Sequence, residues 1–241
     1  MTAFPFSDAI NEERVRLHSH GPIRYLTYPA FAPCPEVAAL TTLRNDVWPA
    51  TARGGKLLKD AAPFLGHTLG IPFQNLIAGR QVHGTNVLSF SKTHPALAEL
   101  SEPRIIPSTD GLLTDARRIA LLVVTADCLP IFLYDPKRSV IGLLHCGRAG
   151  TFDDMVGTGV QRMRDDFSSD PANCLAVIGP SVGPCCYDMD LWGANEHRLK
   201  ELNISSVFNC RVCTKCNNDL FYSHRAERER AGRMISTITL K

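Results

Sequence analysis

The stretch that decides the fold runs from residue 119 to residue 147 and reads IALLVVTADCLPIFLYDPKRSVIGLLHCG. Its first part, residues 119–125, is a continuous apolar run of strand length, which is typical of a strand buried on both faces. Two further apolar runs flank Asp135-Pro136-Lys137-Arg138. Because Asp and Pro are favoured at the first two positions of a turn, this part predicts a β-hairpin.

The turn also predicts the register of the hairpin. If Asp135 pairs with Arg138, then Cys128 lies directly opposite His145. Side chains at opposed positions share one face of the sheet, with Cβ atoms about 5 Å apart. A shift of one residue would turn one of the two side chains to the other face, so this interpretation depends on the turn.

The residues after the hairpin continue the pattern of an α/β unit. Residues 139–178 look like strand, glycine loop, helix and strand, which favours a right-handed crossover. Thr151, with Asp154 three residues later, resembles a capping box at the start of the helix. A glycine loop that opens a helix is suited to bind an anion, although a lone G-x-x-G is more often a structural connection.

The residues before residue 119 give weaker signals. Residues 55–69 carry an apolar stripe at helical spacing that Pro63 interrupts, which predicts a divided or kinked helix. Residues 92–109 contain three prolines and little periodicity, and we interpret them as a loop.

The composition is that of a globular protein. Of the 241 residues, 44% are hydrophobic and 21% are charged, so the chain can bury a core and is not disordered. The formal net charge of +2 is too small to indicate a nucleic-acid or membrane partner. The longest apolar run, residues 119–124, is too short to span a bilayer. At this length one large domain or two small ones are both possible.

The cysteine count and the N-terminus predict the compartment. Residues 1–16 place acids and arginine where a secretory signal needs an uninterrupted apolar run. We therefore expect a cytoplasmic protein whose nine cysteines are thiols, some of them buried and some able to hold a metal ion.

Three separate segments hold candidate metal ligands, namely His83, Cys128 and His145. A thiolate and two imidazoles make a zinc site with three protein ligands and an open fourth position, which is typical of catalytic zinc. Such an ion can acidify a water molecule or polarise a substrate oxygen. The spacing alone is a weak signal, because a histidine at a strand end or a buried cysteine is more often structural.

Several motifs resemble those of a known family. In order along the chain these are RQVHGTNV, TDGLLTD, IALLVVTADCLPIFLYDP, IGLLHCGRAGT, IGPSVGPCCYDM and CTKCNNDLFYSHR followed by GRM. They are similar to the motifs of the YfiH-like family, also called the multicopper polyphenol oxidoreductase (laccase) or purine nucleoside phosphorylase family. The match covers residues 79–234.

The resemblance implies an α+β fold, a single domain over residues 1–241 with layered mixed β-sheets flanked by helices. It also implies one metal ion on His83, Cys128 and His145. Members of the family are zinc enzymes that phosphorolyse inosine, adenosine or methylthioadenosine, and that deaminate adenosine. Purine nucleoside and phosphate are thus the implied small-molecule partners.

One departure from the family falls at the motif that carries the ligand His145. The usual HAGWRG is here His145-Cys146-Gly147-Arg148-Ala149-Gly150, so that Trp is replaced by Arg148 and Arg by Ala149. We interpret Arg148 as a substitute for the missing arginine, unless the activity itself is altered.

Further site residues are predicted around the ligands. Arg225 is a candidate contact to phosphate or ribose, because arginine suits bidentate recognition of oxyanions, with Gly147 and Thr151 also within reach. Asp127 is either an acceptor or general base beside the ligand Cys128, or an aspartate that caps its loop.

Three other functions are compatible with these residues. The first is copper-dependent oxidation of phenols, since some family members have been reported as copper enzymes and copper binds such ligands more tightly than zinc. Against it, a full laccase needs several H-x-H pairs, and the chain has only His18-Ser19-His20. The second is a metal-free cysteine hydrolase with Cys128 as nucleophile and His145 or His83 as base. The third is a binding protein without turnover.

Five more cysteines, Cys185, Cys186, Cys210, Cys213 and Cys216, raise the question of a second metal. An iron–sulfur run would need a further cysteine at position 220, which is leucine. No fourth ligand stands at the local spacing of a structural zinc site. We therefore interpret all five as structural thiols, with the vicinal pair Cys185-Cys186 buried near the first site.

Overall fold

Two mixed β-sheets, stacked face to face, form the centre of the fold. The computed structural model describes residues 13–48, 54–94 and 102–241. The larger sheet has seven strands in the order β1-β2-β3-β13-β8-β4-β6. Its strands are β1 (Arg16–His20), β2 (Ile23–Thr27), β3 (Val37–Thr42), β4 (Leu76–Gly79), β6 (Arg104–Ile106), β8 (Ala120–Thr125) and β13 (Met234–Leu240).

The smaller sheet has six strands in the order β12-β11-β9-β10-β7-β5. Its strands are β5 (Val87–Phe90), β7 (Gly111–Thr114), β9 (Leu129–Asp135), β10 (Val140–Cys146), β11 (Leu175–Ile178) and β12 (Ser206–Asn209). Both sheets combine antiparallel pairs such as β9 with β10 and parallel pairs such as β5 with β7.

The described residues form five α-helices, and the three longest cover the outer faces of the two sheets. The five helices are α1 (Gly54–Leu69), α2 (Arg148–Phe152), α3 (Met155–Phe167), α4 (Leu191–Glu201) and α5 (His224–Glu227). Helix α1 packs on the larger sheet, while α3 and α4 pack on the smaller one. This arrangement confirms the predicted α+β class with layered mixed sheets. None of the helices in the described residues has the length and apolar character that a membrane span needs.

Strand β8 is buried on both faces, as its apolar run predicts. Leu121 and Val123 face the core between the two sheets, whereas Ala120 and Leu122 face α1. In β10 the alternation places Leu143 in the core between the sheets and Leu144 against α3. His145 shares the face of Leu143, because side chains two apart in a strand point the same way. This histidine therefore lies at the end of the core between the sheets.

The hairpin of β9 and β10 forms as predicted, but the predicted register is wrong by two residues. Val140, not Arg138, pairs with Asp135, and His145 pairs with Pro130. The Asp135 side chain accepts hydrogen bonds from the backbone N–H groups of Lys137 (2.8 Å) and Arg138 (3.1 Å), which lengthens the turn. A shift of two residues keeps the same face, so Cys128 and His145 stay on one side of the sheet.

Two helix boundaries differ from the sequence interpretation. Helix α1 runs through Pro63 without division, because Pro63 lies on its exposed side and apolar residues on both sides of it pack on the sheet. Thr151 lies inside α2 and does not cap the long helix. Asp154 is the cap of α3, since its side chain accepts the N–H of Gly157 at 3.0 Å.

The region interpreted as a loop over residues 92–109 contains a strand. Residues 104–106 form β6, which pairs in parallel with β4 at the edge of the larger sheet. Three residues are too few to show a period in the sequence. Residues 95–101 of the predicted loop, and most of the N-terminal segment used to predict the compartment, lie outside the described residues. The boundaries 1–241 of the domain stay a prediction.

We predict that packing between the sheets below His145 dominates the stability of the fold. Leu143→Ala removes a fully buried side chain between the sheets and should lower the free energy of unfolding by about 2–5 kcal/mol. Val207→Ala, in the half-buried edge strand β12, is the control and should cost less. Urea unfolding followed by circular dichroism measures both variants, and equal losses would contradict this account of the core.

Candidate active site

The three predicted metal ligands converge at one end of the core between the sheets. The sulfur of Cys128 and a ring nitrogen from each of His83 and His145 lie within 4.8 Å of one another. The two imidazole rings are 5.0 Å apart between centroids and stand edge to face at 75°. His145 is buried, Cys128 is half-buried and His83 is exposed, and all three line one cleft. The arrangement brings together residues 62 positions apart in sequence.

The backbone has an unusual conformation at one ligand, His83, and at the residue before another, Cys128. His83 has a φ of 64° and Asp127, next to Cys128, has a φ of 91°, both in the left-handed region that favours glycine. Such conformations persist where surrounding contacts enforce them, and they are frequent at functional sites. Gln81 supplies one such contact, because its side-chain amide exchanges two 2.8 Å hydrogen bonds with the backbone of Val124.

Asp110 is a site residue that the sequence interpretation missed. Its buried carboxylate accepts a 2.8 Å hydrogen bond from Nδ1 of His145. It also accepts the backbone N–H groups of Val82, His83 and Gly84 at 2.9–3.1 Å. One side chain thus orients a ligand in β10 and holds the loop that carries another. Because Nδ1 of His145 is bound to Asp110, Nε2 is left to face an ion.

Asp110 could have been noticed in the motif TDGLLTD, but its role depends on strand pairing. Leu144 of β10 pairs with Gly111 of β7. This register sets Asp110 beside His145, whose backbone N–H donates to the Asp110 carbonyl at 2.7 Å. The pairing joins strands about thirty residues apart and has no local signal in the sequence.

Gly147 gives the backbone room to pass the thiol. A Cβ atom at position 147 would lie 2.9 Å from the sulfur of Cys128 and 3.5 Å from the His83 ring. A side chain at position 147 would therefore press on the Cys128 sulfur and touch the His83 ring. This close approach explains the glycine after His145-Cys146 better than an anion site does.

The charges of the cluster favour a thiolate. Burial acts to raise the pKa of Cys128, but hydrogen bonds and charge from His145 and His83 outweigh burial and lower that pKa to about 6. Burial acts to lower the pKa of His145, while Asp110 and Cys128 together raise it to about 9. Burial also opposes ionisation of Asp110, yet His145 and the backbone N–H groups hold its pKa below the usual range.

Cys146, the other thiol beside His145, is not suited to chemistry. Its side chain points away from the cleft and contacts Asn195 and Thr151. Burial raises its pKa to about 12, so it stays protonated at neutral pH. Of the two thiols next to His145, only Cys128 lines the cleft.

The donor set fits a single zinc ion. A soft thiolate and two imidazoles are ligands that Zn²⁺ and copper both accept. Electron-transfer copper sites with this donor set usually add a distant methionine sulfur, and no methionine is present among the described residues that line the cleft. The three donors and an open side toward the cleft match the arrangement of catalytic zinc.

The cleft above the three ligands has a volume of about 620 Å³. Ligand pockets in proteins are roughly 300–1,000 Å³ in volume, so the cleft can hold a small substrate. Apolar side chains of Val124, Val182 and Leu191 form part of its wall. Its cationic lining residues are Arg148, Arg225, Arg228 and Arg233. The cleft therefore combines an apolar wall with an excess of arginine suited to an anion.

Asp127 lines the cleft, but both of its carboxylate oxygens are engaged. One accepts the hydroxyl of Thr214 at 2.7 Å and the other accepts the backbone N–H of Arg225 at 2.6 Å. Asp127 thus joins the loop before β9 to the start of α5. These contacts match the alternative of an aspartate that caps and holds a loop.

Two of the cleft arginines share a carboxylate. Nη1 of Arg148 is 3.0 Å from Asp188, and Nη2 of Arg225 is 3.7 Å from the same side chain. The guanidinium of Arg225 also lies 4.6 Å above the ring centroid of Tyr187. Hydrogen bonding to Arg148 and the charge of Arg225 hold the pKa of Asp188 below its usual range. The segment around Asp188 therefore positions both arginines.

The two remaining predicted contacts lie behind the ligands, with Gly147 packed against Cys128. Thr151 and Gly147 are not among the described residues that line the cleft, and the Thr151 hydroxyl bonds to the Gly147 carbonyl and to Asn195. Arg228 and Arg233 line the cleft but were missed, because in the sequence they belong to an arginine-rich stretch without a distinctive motif. His18 and His20 lie in β1, and His20 stacks on His67 away from the cleft.

The five other cysteines divide into a cluster and a single residue. Cys185, Cys186, Cys213 and Cys216 lie together, whereas Cys210 is buried in the core between the sheets. Cys185 is exposed and Cys186 is half-buried, so the interpretation of a buried vicinal pair was wrong. The pair lies in a surface turn between β11 and α4, which the sequence alone does not reveal.

Comparison with known proteins identifies the family. The model of the family described as multi-copper polyphenol oxidoreductase laccase matches residues 60–190 and 187–241. The chain is 28% identical to the purine nucleoside phosphorylase YlmD of Geobacillus stearothermophilus, over 72% of this chain and 75% of that protein. It is 34% identical to a purine nucleoside phosphorylase of Streptomyces coelicolor, over 72% of this chain and 78% of that one. The chain therefore belongs to this laccase-like family, which is the YfiH-like family of the predicted resemblance.

Solved structures show the same fold. The crystal structure of the hypothetical protein YfiH of Bacillus licheniformis superposes with a TM-score of 0.78 at 25% identity, covering 92% of this chain and all of that one. YlmD of Geobacillus stearothermophilus also gives 0.78, at 24% identity over 90% and 96% of the two chains. The predicted family and fold class are thus both confirmed.

We predict that Asp110 is needed for tight metal binding. Asp110→Asn removes the charge that orients His145 and should weaken zinc affinity about 10–100-fold. Asp115→Asn, at the other end of the same TDGLLTD motif, is the matched control and should leave the affinity unchanged. Competition with a chromophoric chelator measures both constants. Equal affinities in the two variants would contradict the role given to Asp110.

We also predict an unusual pH dependence for Cys128 in the metal-free protein. Because its pKa is lowered to about 6, alkylation should fall as the pH falls through about 6 and be constant from pH 7 upward. The control is Cys34, whose pKa is raised by burial and by Glu36, so that its alkylation should still increase above pH 9. Peptide-resolved mass spectrometry follows both sites. A rate at Cys128 that keeps increasing like that of Cys34 would show that the imidazoles do not stabilise the thiolate.

Proposed function

We propose that the protein is a zinc-dependent purine nucleoside phosphorylase that acts on inosine, adenosine or methylthioadenosine. The observation that carries the proposal is the position of the ligands His83, Cys128 and His145 at the floor of a cleft lined by four arginines. A metal site beside an anion-binding wall suits a reaction between phosphate and a neutral substrate. The names of the curated relatives support the same class of reaction.

His83, Cys128 and His145 would hold the zinc ion, and Asp110 would keep His145 in the tautomer that presents Nε2. When bound, zinc supplies Lewis-acid polarisation of a substrate oxygen. The thiolate of Cys128 is available at neutral pH, so the ion does not have to displace a tightly held proton.

Arg225 and Arg148 would bind phosphate. Both guanidinium groups line the cleft and both contact Asp188. An incoming phosphate could take the place of the Asp188 carboxylate as their shared partner. In the reaction, a phosphate oxygen forms a bond to C1′ of the ribose while the bond from C1′ to N9 breaks. The electron pair of that bond stays on the purine, which takes up the proton that phosphate gives up.

The apolar wall would receive the purine. Val124, Val182 and Leu191 offer apolar surface without charge, which favours a flat heterocycle over a sugar. Deamination of adenosine, which the resemblance also implies, would need a proton acceptor near the base. Both oxygens of Asp127 are engaged by Thr214 and Arg225, so the contacts favour phosphorolysis as the main activity.

The alternatives predicted from the sequence have weaker support. Multicopper oxidation needs several clusters of histidine, and the described residues hold one group of three or more candidate ligands that includes histidine. Copper bound to that single group would give a mononuclear site. A cysteine hydrolase would use Cys128 with His145, the residues proposed here to hold zinc, and a binding protein would retain ligands without turnover. We further propose that the protein works in the cytoplasm, where its nine unpaired cysteines stay reduced.

The proposal predicts that purine release from inosine requires both zinc and phosphate. Protein purified without chelator, and the same protein after its metal is removed, are incubated with inosine, with and without phosphate, and hypoxanthine and ribose 1-phosphate are measured. We expect equal amounts of the two products with phosphate and none without it. Release of hypoxanthine with free ribose in the absence of phosphate would contradict the proposal, and ammonia release from adenosine reports deamination in parallel.

The two arginines should act mainly on phosphate. Arg225→Gln and Arg148→Gln should each raise the KM for phosphate about 10–100-fold, since a charge-assisted hydrogen bond contributes about 1.5–3 kcal/mol. Arg138→Gln, in the hairpin turn where its side chain bonds to the Ser168 carbonyl, is the control and should leave the KM unchanged. If the KM for phosphate is unchanged in all three variants, Arg148 and Arg225 do not bind the phosphate.

A further inference from the structure

Four thiols gather in a second cluster outside the proposed active site. The sulfur atoms of Cys185, Cys186, Cys213 and Cys216 all lie within 4.8 Å of one another. Cys216 is 3.4 Å from both Cys185 and Cys186 between sulfur atoms. Each of the four sulfurs is close to the other three. A single metal ion could bind all four of them, whereas a disulfide would join only two.

The cluster joins two segments that are distant in sequence. Cys185 and Cys186 lie in the turn that follows β11, and Cys213 and Cys216 lie in the loop between β12 and α5. Backbone contacts already bring the segments together, because Ser181 pairs with Cys213 and the N–H of Thr214 donates to the Ser181 carbonyl at 3.0 Å. The third and fourth ligands beside the pair Cys213 and Cys216 therefore come from the vicinal pair Cys185-Cys186, about thirty residues earlier.

The spacing of the sulfurs fits one tetrahedral zinc ion. With zinc–sulfur bonds of about 2.3 Å, tetrahedral geometry separates the sulfurs by about 3.8 Å, close to the spacing of this cluster. In a [4Fe–4S] cluster each thiolate binds a different iron atom, and in a [2Fe–2S] cluster two thiolates bind each of two iron atoms, so both spread the four cysteine sulfurs farther apart. A disulfide would use two sulfurs at about 2.05 Å and leave the other two without a partner.

The surroundings already stabilise a negative sulfur. The backbone N–H of Gly183 donates to the sulfur of Cys213 at 3.3 Å. Hydrogen bonds of this kind orient a ligand and favour its charged form. Cys213 is buried, whereas Cys185 and Cys216 are exposed. An ion could thus reach the cluster from solvent and find one sulfur already held in place.

We propose that Cys185, Cys186, Cys213 and Cys216 bind a structural zinc ion, separate from the ion on His83, Cys128 and His145. The proposal does not depend on the reaction that the protein catalyses. Four cysteines without an open position are the ligand set of structural zinc.

A zinc ion at this site would link two segments that contact the cleft residue Arg225 and its neighbour Asp127. Tyr187 and Asp188, directly after Cys186, contact Arg225. Thr214, directly after Cys213, donates to Asp127, whose other oxygen holds the backbone of Arg225. An ion on the four cysteines would therefore position Arg225 through both segments, and its loss would loosen the proposed phosphate site without removing a group that touches substrate.

The experiment counts zinc in variants that remove one site at a time. Wild-type protein purified without chelator should contain about two zinc ions per chain, and a His83→Ala/Cys128→Ala/His145→Ala variant should retain about one. Cys185→Ser/Cys216→Ser should also retain about one, and Cys34→Ser, a half-buried thiol elsewhere, should retain about two. Cobalt substitution of the His83→Ala/Cys128→Ala/His145→Ala variant should produce the intense thiolate-to-cobalt absorption of a site with four sulfur ligands.

A second measurement on wild-type protein covers variants that fail to fold. Cys185 and Cys216, although exposed, should resist alkylation until a chelator is added, whereas labelling of Cys34 should not respond to the chelator. The proposal would be overturned if the His83→Ala/Cys128→Ala/His145→Ala variant contained no zinc, or if iron were bound in place of zinc. A disulfide within the cluster, or fast labelling of Cys185 without chelator, would also overturn it. Wild-type protein that binds two zinc ions but does not phosphorolyse inosine would instead count against the proposed function alone.

Discussion

The buried carboxylate of Asp110 holds the candidate metal site together. It accepts hydrogen bonds from Nδ1 of His145 and from three backbone N–H groups of the loop that carries His83. A buried charge is costly unless it is paired and hydrogen-bonded, and here every contact falls on a ligand or its neighbour. The position of two ligands thus depends on one side chain. The third, Cys128, directly precedes β9, and its sulfur lies within 4.8 Å of a ring nitrogen of His145.

The two sheets supply the frame on which this contact rests. His145 lies at the end of a core built from both sheets, and Gly147 lets the chain turn closely past the thiol of Cys128. The cleft opens where that core ends, so its floor carries the soft ligands and its outer wall carries arginine. The second group of cysteines lies beside this wall and links the segments that position Arg225. The candidate metal ligands and the cleft arginines are therefore closely linked, since Arg148 follows His145 by three residues and Asp127, next to Cys128, accepts the backbone N–H of Arg225.

Prediction from sequence succeeded where the signal was local. The apolar run of β8, the hairpin after it and the helical stripe of α1 are all present. It was wrong where a side chain changed the local geometry: Asp135 lengthened the hairpin turn, and Asp154 capped the helix assigned to Thr151. The convergence of His83 with Cys128 and His145 came from the family motifs, since spacing alone could not bring a loop after β4 to the end of β10. Asp110 and the cysteine cluster depend on pairings between distant strands and loops.

By itself, the sequence determined the class of fold, the family and the three residues able to hold an ion, because apolar periodicity, turn chemistry and motifs are properties of neighbouring residues. The tertiary structure decided which residues support those ligands, which arginines face the cleft and which cysteines meet. These choices follow from the pairing of β7 with β10 and from the packing of loops against the sheets. Contacts of that kind join residues tens of positions apart, and only the folded chain brings them within the range of a hydrogen bond or a metal–ligand bond.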